Sequence, residues 1–209
     1  MKATKYFSLG LLIAVSAIYA PNASAQEHPV QATTETKNSP VKWLTWEEAV
    51  EKNKTEKKKI FVDVFTDWCG WCKVMDKNTF TEAEVAKILN EDFYAVKFNA
   101  EQTADVVFNN VTFKYISNGG RGVHQLAAAL LNNQLSYPNF VFLDEEFKII
   151  PVFPGYQSLP GYRKPEEFHI FLSFVGEEIY KKMRIDDYQK NGYVSPYGAA
   201  TTKQEGGGK

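Results

Sequence analysis

Between residues 41 and 183 the apolar positions fall into two rhythms. Residues 60–65, Ile-Phe-Val-Asp-Val-Phe, form a nearly unbroken apolar run rich in β-branched and aromatic side chains, which predicts a central strand covered on both faces. Only Asp63 interrupts it. Residues 93–98 predict a second such strand, and the apolar segments 140–143 and 147–153, flanking Asp144-Glu145-Glu146, predict a hairpin. Helical spacing governs the rest. Thr45 followed by Glu48 is a capping box that opens a helix over 46–54, and Lys57, Lys58 and Lys59 after it read as a solvated turn. Thr81 and Glu84 form a second capping box ahead of Val85, Ile88 and Leu89, with a helix end near Asn90. An alanine- and leucine-rich helix is predicted over 124–131. Phe168, Phe171, Leu172, Val175 and Ile179 mark the buried stripe of a long terminal helix opening at Pro165. The segment 99–135 reads as a loop leading into the 124–131 helix. Its glycines, in Asn118-Gly119-Gly120-Arg121-Gly122, lack the spacing of a phosphate cradle. Alternating strands and helices closed by an antiparallel pair predict an α/β fold, a mixed central sheet flanked by helices on both faces.

The ends follow other rules. Lys2 and Lys5 precede the uncharged stretch 9–20, and Ala23-Ser24-Ala25 follows, so residues 1–25 read as a signal peptide cleaved after Ala25. The stretch is short for a membrane span, and no cysteine stands at the cut to take a lipid. Residues 26–40 are polar and aperiodic, a flexible linker; from Arg184 the chain turns polar again, and 184–209 are expected to be a mobile tail. At 209 residues with 44% hydrophobic content, what remains, 41–183, holds one core. Lys and Arg (24) nearly balance Asp and Glu (25), which leaves no basic excess for nucleic acid. The expected location is periplasmic or secreted, and the expected state a monomer.

The candidate chemistry lies in the two cysteines, Cys69 and Cys72, which follow the central strand and open a helix. Unpaired N–H groups and the macrodipole at a helix start favour a thiolate, so Cys69 is the candidate nucleophile. Cys72 lies almost one turn on, positioned to attack a mixed disulfide at Cys69 and release the bound thiol. Two alternatives stand beside this. A structural disulfide closing so small a loop contributes about 2 kcal/mol. A metal site would have to draw on two thiols and three scattered histidines, a poor set for zinc, so none is expected. Asp63 bears on the choice. Inside an apolar strand a carboxylate needs a reason, either as acceptor of the Cys72 proton or simply as the partner of a lysine or backbone group.

The stretch Val62-Asp63-Val64-Phe65-Thr66-Asp67-Trp68-Cys69-Gly70-Trp71-Cys72-Lys73 resembles the active-site strand and helix start of the thioredoxin superfamily, with its buried Asp six residues before the first Cys. The resemblance extends over about 41–182 and includes Tyr137-Pro138, which matches the family's cis-proline, and Gly155. Among relatives the chain is most similar to secreted bacterial thioredoxin-like proteins with a Trp-Cys-Gly-Trp-Cys-Lys motif. It departs from cytosolic thioredoxins in the Gly-Trp dipeptide, in Tyr137 before the proline, and in the longer 99–135 segment. The resemblance implies a thioredoxin fold, a redox-active Cys69–Cys72 disulfide and substrate contact near Pro138. Trp68, Trp71 and Tyr137 could form an apolar rim beneath a substrate chain.

These readings imply a thiol–disulfide oxidoreductase acting on protein disulfides, a reductase rather than an oxidase, with no cofactor and with electrons from a membrane-bound donor. The rival reading is a binding module or assembly factor whose thiols serve only stability or attachment.

Overall fold

The computed structural model describes residues 39–117 and 119–198; the expected leader 1–25, most of the linker and residues 199–209 lie outside the described residues. Helix α1 (Trp46–Thr55) starts where its capping box predicts. The Thr45 hydroxyl accepts the Glu48 N–H at 3.1 Å, and the Glu48 carboxylate accepts the Thr45 N–H at 2.8 Å. Strand β1 (Lys59–Phe65), helices α2 (Gly70–Asn78) and α3 (Ala83–Asp92) and strand β2 (Phe93–Asn99) follow. β1 and β2 pair in parallel, which requires the crossover that α2 and α3 supply. Two short antiparallel ribbons come next, β3 (Val106–Phe108) with β4 (Val111–Phe113) and β5 (Tyr115–Ile116) with β6 (Val123–His124). After α4 (Gln125–Leu130), β7 (Asn139–Leu143) runs antiparallel to β1 and pairs in turn with β8 (Leu159–Pro160). The chain then forms α5 (Pro165–Gly176), a 3₁₀ turn (Ile179–Lys181) and α6 (Ile185–Asn191). The sheet order is β2-β1-β7-β8, with Leu44 adding a single parallel bridge to Val96.

Side chains alternate across a strand, so β1 supplies two cores. Ile60, Val62 and Val64 join Trp46, Val96, Phe98, Leu126, Leu130 and Val141 on the face covered by α1 and α4. Phe61 joins Met75, Phe80, Leu89, Phe140, Phe142, Phe168 and Leu172 on the opposite face, under α2, α3 and α5. The Phe61 ring lies within about 6 Å of the rings of Phe80, Phe140, Phe142 and Phe168, edge-on to Phe80 and Phe168, tilted to Phe142 and stacked on Phe140, packing that adds to simple burial. Asp63 shares the Phe61 face and therefore points into this aromatic layer.

Five expectations change. The 99–135 segment is not simple loop up to its helix: Asn109 and Asn110 both have positive φ (50° and 62°), the backbone of a tight hairpin turn, and they close the β3–β4 ribbon. The second arm of the 147–153 hairpin is reduced to a single bridge, Leu143 to Ile149, and β7 takes its partner from Leu159–Pro160 instead. The second capping box does not form. Glu82 is the cap of α3 without a side-chain bond, and the Thr81 hydroxyl instead donates to the Lys77 carbonyl at 2.7 Å. The tail expected from 184 onward begins as α6, whose Ile185 and Tyr188 are buried, Tyr188 against Phe174 with ring centroids 5.7 Å apart. Lys59 also differs from a solvated turn residue. It is buried at the start of β1, and its ammonium donates to the Gly176 carbonyl at 3.3 Å at the end of α5, where a cation complements the helix dipole.

Two buried histidines make the fold sensitive to acid. His124 caps α4, its Nδ1 accepting the Leu126 N–H at 3.2 Å while Nε2 donates to the Ala104 carbonyl at 3.1 Å, an arrangement only the neutral ring satisfies. His169 lies under α6 and the chain after it, with the Tyr193 hydroxyl 2.9 Å and the Ser173 hydroxyl 3.1 Å from Nδ1. Burial pushes both rings below the ordinary histidine range. The unfolded chain therefore binds protons more readily, and the stability the two rings contribute above about pH 6.5 is lost as pH falls through their lowered folded values. Urea midpoints are expected to drop between pH 7.5 and pH 5. A smaller drop is expected in His169→Gln, and equal drops in the variant and the wild type would remove the assignment.

Candidate active site

β1 ends at Phe65, and the turn 66–68 delivers Cys69 to the first cap of α2. The Cys69 backbone is extended there (φ −72°, ψ 104°), so the side chain turns back over the helix start and Sγ accepts the Cys72 N–H at 3.1 Å. A helix start normally leaves that donor unpaired. That N–H and a first turn without an acidic residue are the features that favour a thiolate at this position. Cys69 and Cys72 are joined as a disulfide with Cα atoms 5.3 Å apart. Both are buried in this form.

The rim is aromatic. Trp68 and Trp71 are 51% and 61% exposed, which is unusual for the largest apolar side chain. Trp68 stands edge-on to Tyr137 at 6.0 Å, and Trp71 lies 5.3 Å from Tyr162 in the segment after β8. The Tyr137-Pro138 bond is cis, and Pro138 is buried, its carbonyl accepting the Gly161 N–H at 2.8 Å. Trp68, Tyr137 and the cysteine turn therefore meet at one end of the sheet, while Trp71 extends the rim toward Tyr162. Lys73 is exposed on the first turn of α2.

Asp63 is 1% exposed and ion-paired: its Oδ2 accepts from the Lys97 ammonium at 2.7 Å. Register explains the pair, since Asp63 on β1 lies opposite Lys97 on β2. Lys97 is shared, because it also bonds Asp76 of α2, and its ammonium sits 4.9 Å from the Trp43 ring and 5.2 Å from the Phe80 ring. Oδ1 of Asp63 has no hydrogen-bond partner among the described residues. Two carboxylates facing one ammonium carry one negative charge too many for a buried site, which raises the proton affinity of the more deeply buried member. Burial drives the Asp63 carboxyl above the ordinary carboxylate range; Lys97 opposes this and Asp76 reinforces it. For Lys97 burial works downward, but the two carboxylates outweigh it and hold the ammonium above the usual lysine range. The lysine partner that the sequence allowed for is present, and the carboxyl's proton affinity is raised.

Of the residues singled out in the sequence, Cys69, Cys72, Trp68, Tyr137 and Pro138 gather around the turn, Trp71 lies beside it, and Asp63 sits beneath in the sheet. Lys97, Asp76, Glu101, Arg121 and Tyr162 were not legible. Lys97 offered a signal, being a lysine inside an apolar strand like the aspartate inside its neighbour. Arg121 offered none, because its place depends on the ribbons of the 99–135 segment.

Residues 25–155, more than half of the chain, match the sequence model Thioredox_DsbH, described as "Protein of unknown function, DUF255". Human spermatogenesis-associated protein 20 is 36% identical over 85 residues, covering 40% of this chain and 11% of that protein. The thiol:disulfide interchange protein DsbD of Colwellia psychrerythraea is 32% identical over 65 residues, 29% of this chain and 11% of that one. The chain thus spans about a tenth of the length of these curated relatives. A solved structure titled DsbH oxidoreductase superposes with a TM-score of 0.46 at 18% identity, covering 74% of this chain and 96% of that chain. With the mixed sheet, the flanking helices and the Cys-x-x-Cys helix start of a thioredoxin fold on one chain, this protein belongs to the Thioredox_DsbH (DUF255) family.

Proposed function

We propose that this protein is an exported thiol–disulfide oxidoreductase that reduces disulfides in protein substrates. The observation that carries the reading is the Cys72 N–H directed at the Cys69 sulfur at a helix start. In the reduced protein the Cys69 thiolate attacks one sulfur of the substrate disulfide; the new S–S bond joins protein and substrate, and the first substrate sulfur leaves as a thiolate. Cys72 then gives its proton to the buried Asp63 carboxylate and attacks the Cys69 sulfur. The second substrate sulfur leaves, and the Cys69–Cys72 disulfide remains. Two electrons have passed to the substrate, whose thiolates take up two protons, one of them through Asp63. Trp68, Trp71 and Tyr137 form the surface on which the substrate chain lies, with Pro138 buried beside it.

Turnover then needs an external dithiol to reduce the pair. A membrane-bound donor suits an exported protein, and the likeness to a thiol:disulfide interchange protein supports such a chain of exchange. Export rests on the leader-like residues 1–25. The test is insulin reduction with dithiothreitol as the electron source, followed by turbidity. The purified protein is expected to accelerate precipitation well beyond dithiothreitol alone, and its Cys69/Cys72 couple to equilibrate near thioredoxin's potential of about −270 mV. A rate equal to the dithiothreitol background overturns the enzymatic reading; acceleration with a potential nearer −120 mV overturns the direction.

A further inference from the structure

The ribbons between β2 and α4 bring a cation to the aromatic rim. β5 pairs with β6, and the Arg121 guanidinium, two residues before β6, lies over the Trp68 ring, 4.8 Å from its centroid, on the residue next to Cys69. Two hydrogen bonds hold the residues around Arg121. The Gly122 N–H donates to the Tyr115 hydroxyl at 2.8 Å, and the Ser117 hydroxyl donates to the Gly120 carbonyl at 2.6 Å. A Cβ on Gly122 would overlap the Ile116 carbonyl oxygen and the Tyr115 ring, so only glycine lets the loop close here. The platform is fixed as well, because the Trp68 indole N–H donates to the Glu101 carboxylate at 2.9 Å.

Arg121 is exposed, and its guanidinium makes no ion pair or hydrogen bond among the described residues. The two carboxylates near the turn do not take it: Glu101 accepts from the indole, and the exposed Asp67 makes no ion pair. The contact holds the guanidinium against the indole while leaving its fork of N–H donors unspent, the group that receives a carboxylate through two parallel bonds. We propose that Arg121 is a specificity-determining residue that binds an acidic side chain of the substrate polypeptide close to its cystine, so that the protein prefers disulfides flanked by Asp or Glu. This deepens the oxidoreductase reading and rests on it.

The test uses matched disulfide-bonded peptides with Glu, Gln or Lys beside one cysteine, reduced by the full chain under dithiothreitol. At low ionic strength the wild type is expected to show a kcat/KM about threefold to tenfold higher for the Glu peptide than for the Gln peptide, lower again for Lys, with the ratio shrinking in 0.5 M salt. In Arg121→Glu the order of the Glu and Lys peptides is expected to invert, and in Gly122→Ala, which forces the loop open, the ratio should move toward one. Equal kcat/KM for the three peptides in the wild type, or a preference for Glu that survives Arg121→Glu, overturns the role of Arg121 while leaving the enzymatic reading intact. Failure to reduce any of the three overturns the enzymatic reading itself.

Discussion

Cys72→Ser is expected to stop turnover and to leave the protein joined to its substrate through Cys69. The serine hydroxyl cannot attack a disulfide sulfur at neutral pH, so the mixed disulfide has no internal exit. The backbone N–H of position 72, however, survives the substitution and still faces the Cys69 sulfur. Capture and release are thereby separated. Insulin reduction should fall to the rate of dithiothreitol alone, while non-reducing gels of extracts exposed to the variant should show adducts that vanish on reduction. Cys69→Ser should lose both turnover and adducts, since Cys72 is buried more deeply and lacks the cap position. In Cys72→Ser, iodoacetamide should alkylate Cys69 with a midpoint below the free thiol's value of about 8.5. Adducts formed equally by both single variants, or a Cys69 midpoint at or above 8.5, would remove the nucleophile assignment. Loss of the disulfide itself costs little stability, about 2 kcal/mol for so small a loop, so lost activity in folded variants reports chemistry.

How much of this was legible follows from what each feature depends on. The cysteine turn, the strand before it and the capping box at Thr45 are local, set by residues within a few positions of one another, and they stand where the sequence points. Pro138 reached the site through its resemblance to a family position, since nothing local links it to Cys69. The ribbons of 99–135 carry a local signal for β3 and β4: Asn109-Asn110 between Val106-Val107-Phe108 and Val111-Thr112-Phe113 is a hairpin turn between short β-rich arms. α6 was hidden by its composition. Five of the seven residues in Ile185–Asn191 are charged or amide-bearing neighbours of only two buried anchors, Ile185 and Tyr188, which read as polar tail until α5 is there to receive them. The Asp63–Lys97–Asp76 cluster is the least local of all, because it needs the β1–β2 register and the approach of α2 at once.

That cluster gives the second large effect: Asp63→Asn is expected to stabilise the folded protein and slow its catalysis together. The Asp63 carboxyl is held above its ordinary value chiefly by burial, so the folded state retains a proton that the unfolded chain has released. The sign follows from linkage. The stability associated with that proton is present in full below about pH 3.8 and is lost as pH rises through the raised folded value. Asparagine imitates the protonated acid in shape and charge at every pH; its carbonyl still accepts from Lys97, and Lys97 keeps Asp76. Urea midpoints of variant and wild type should therefore converge in acid and separate toward pH 8, with the variant the more stable. The amide cannot take the Cys72 proton, however, and a lost general base costs on the order of 10²-fold. In single-turnover reduction the resolution step should slow by that order in the variant and lose the rise with pH that follows Asp63 ionisation in the wild type, while the Cys69 attack step changes far less. A variant that gains stability and still resolves at the wild-type rate across this range would leave Asp63 as a buried ion-pair partner alone, and the proton would then leave Cys72 by another path.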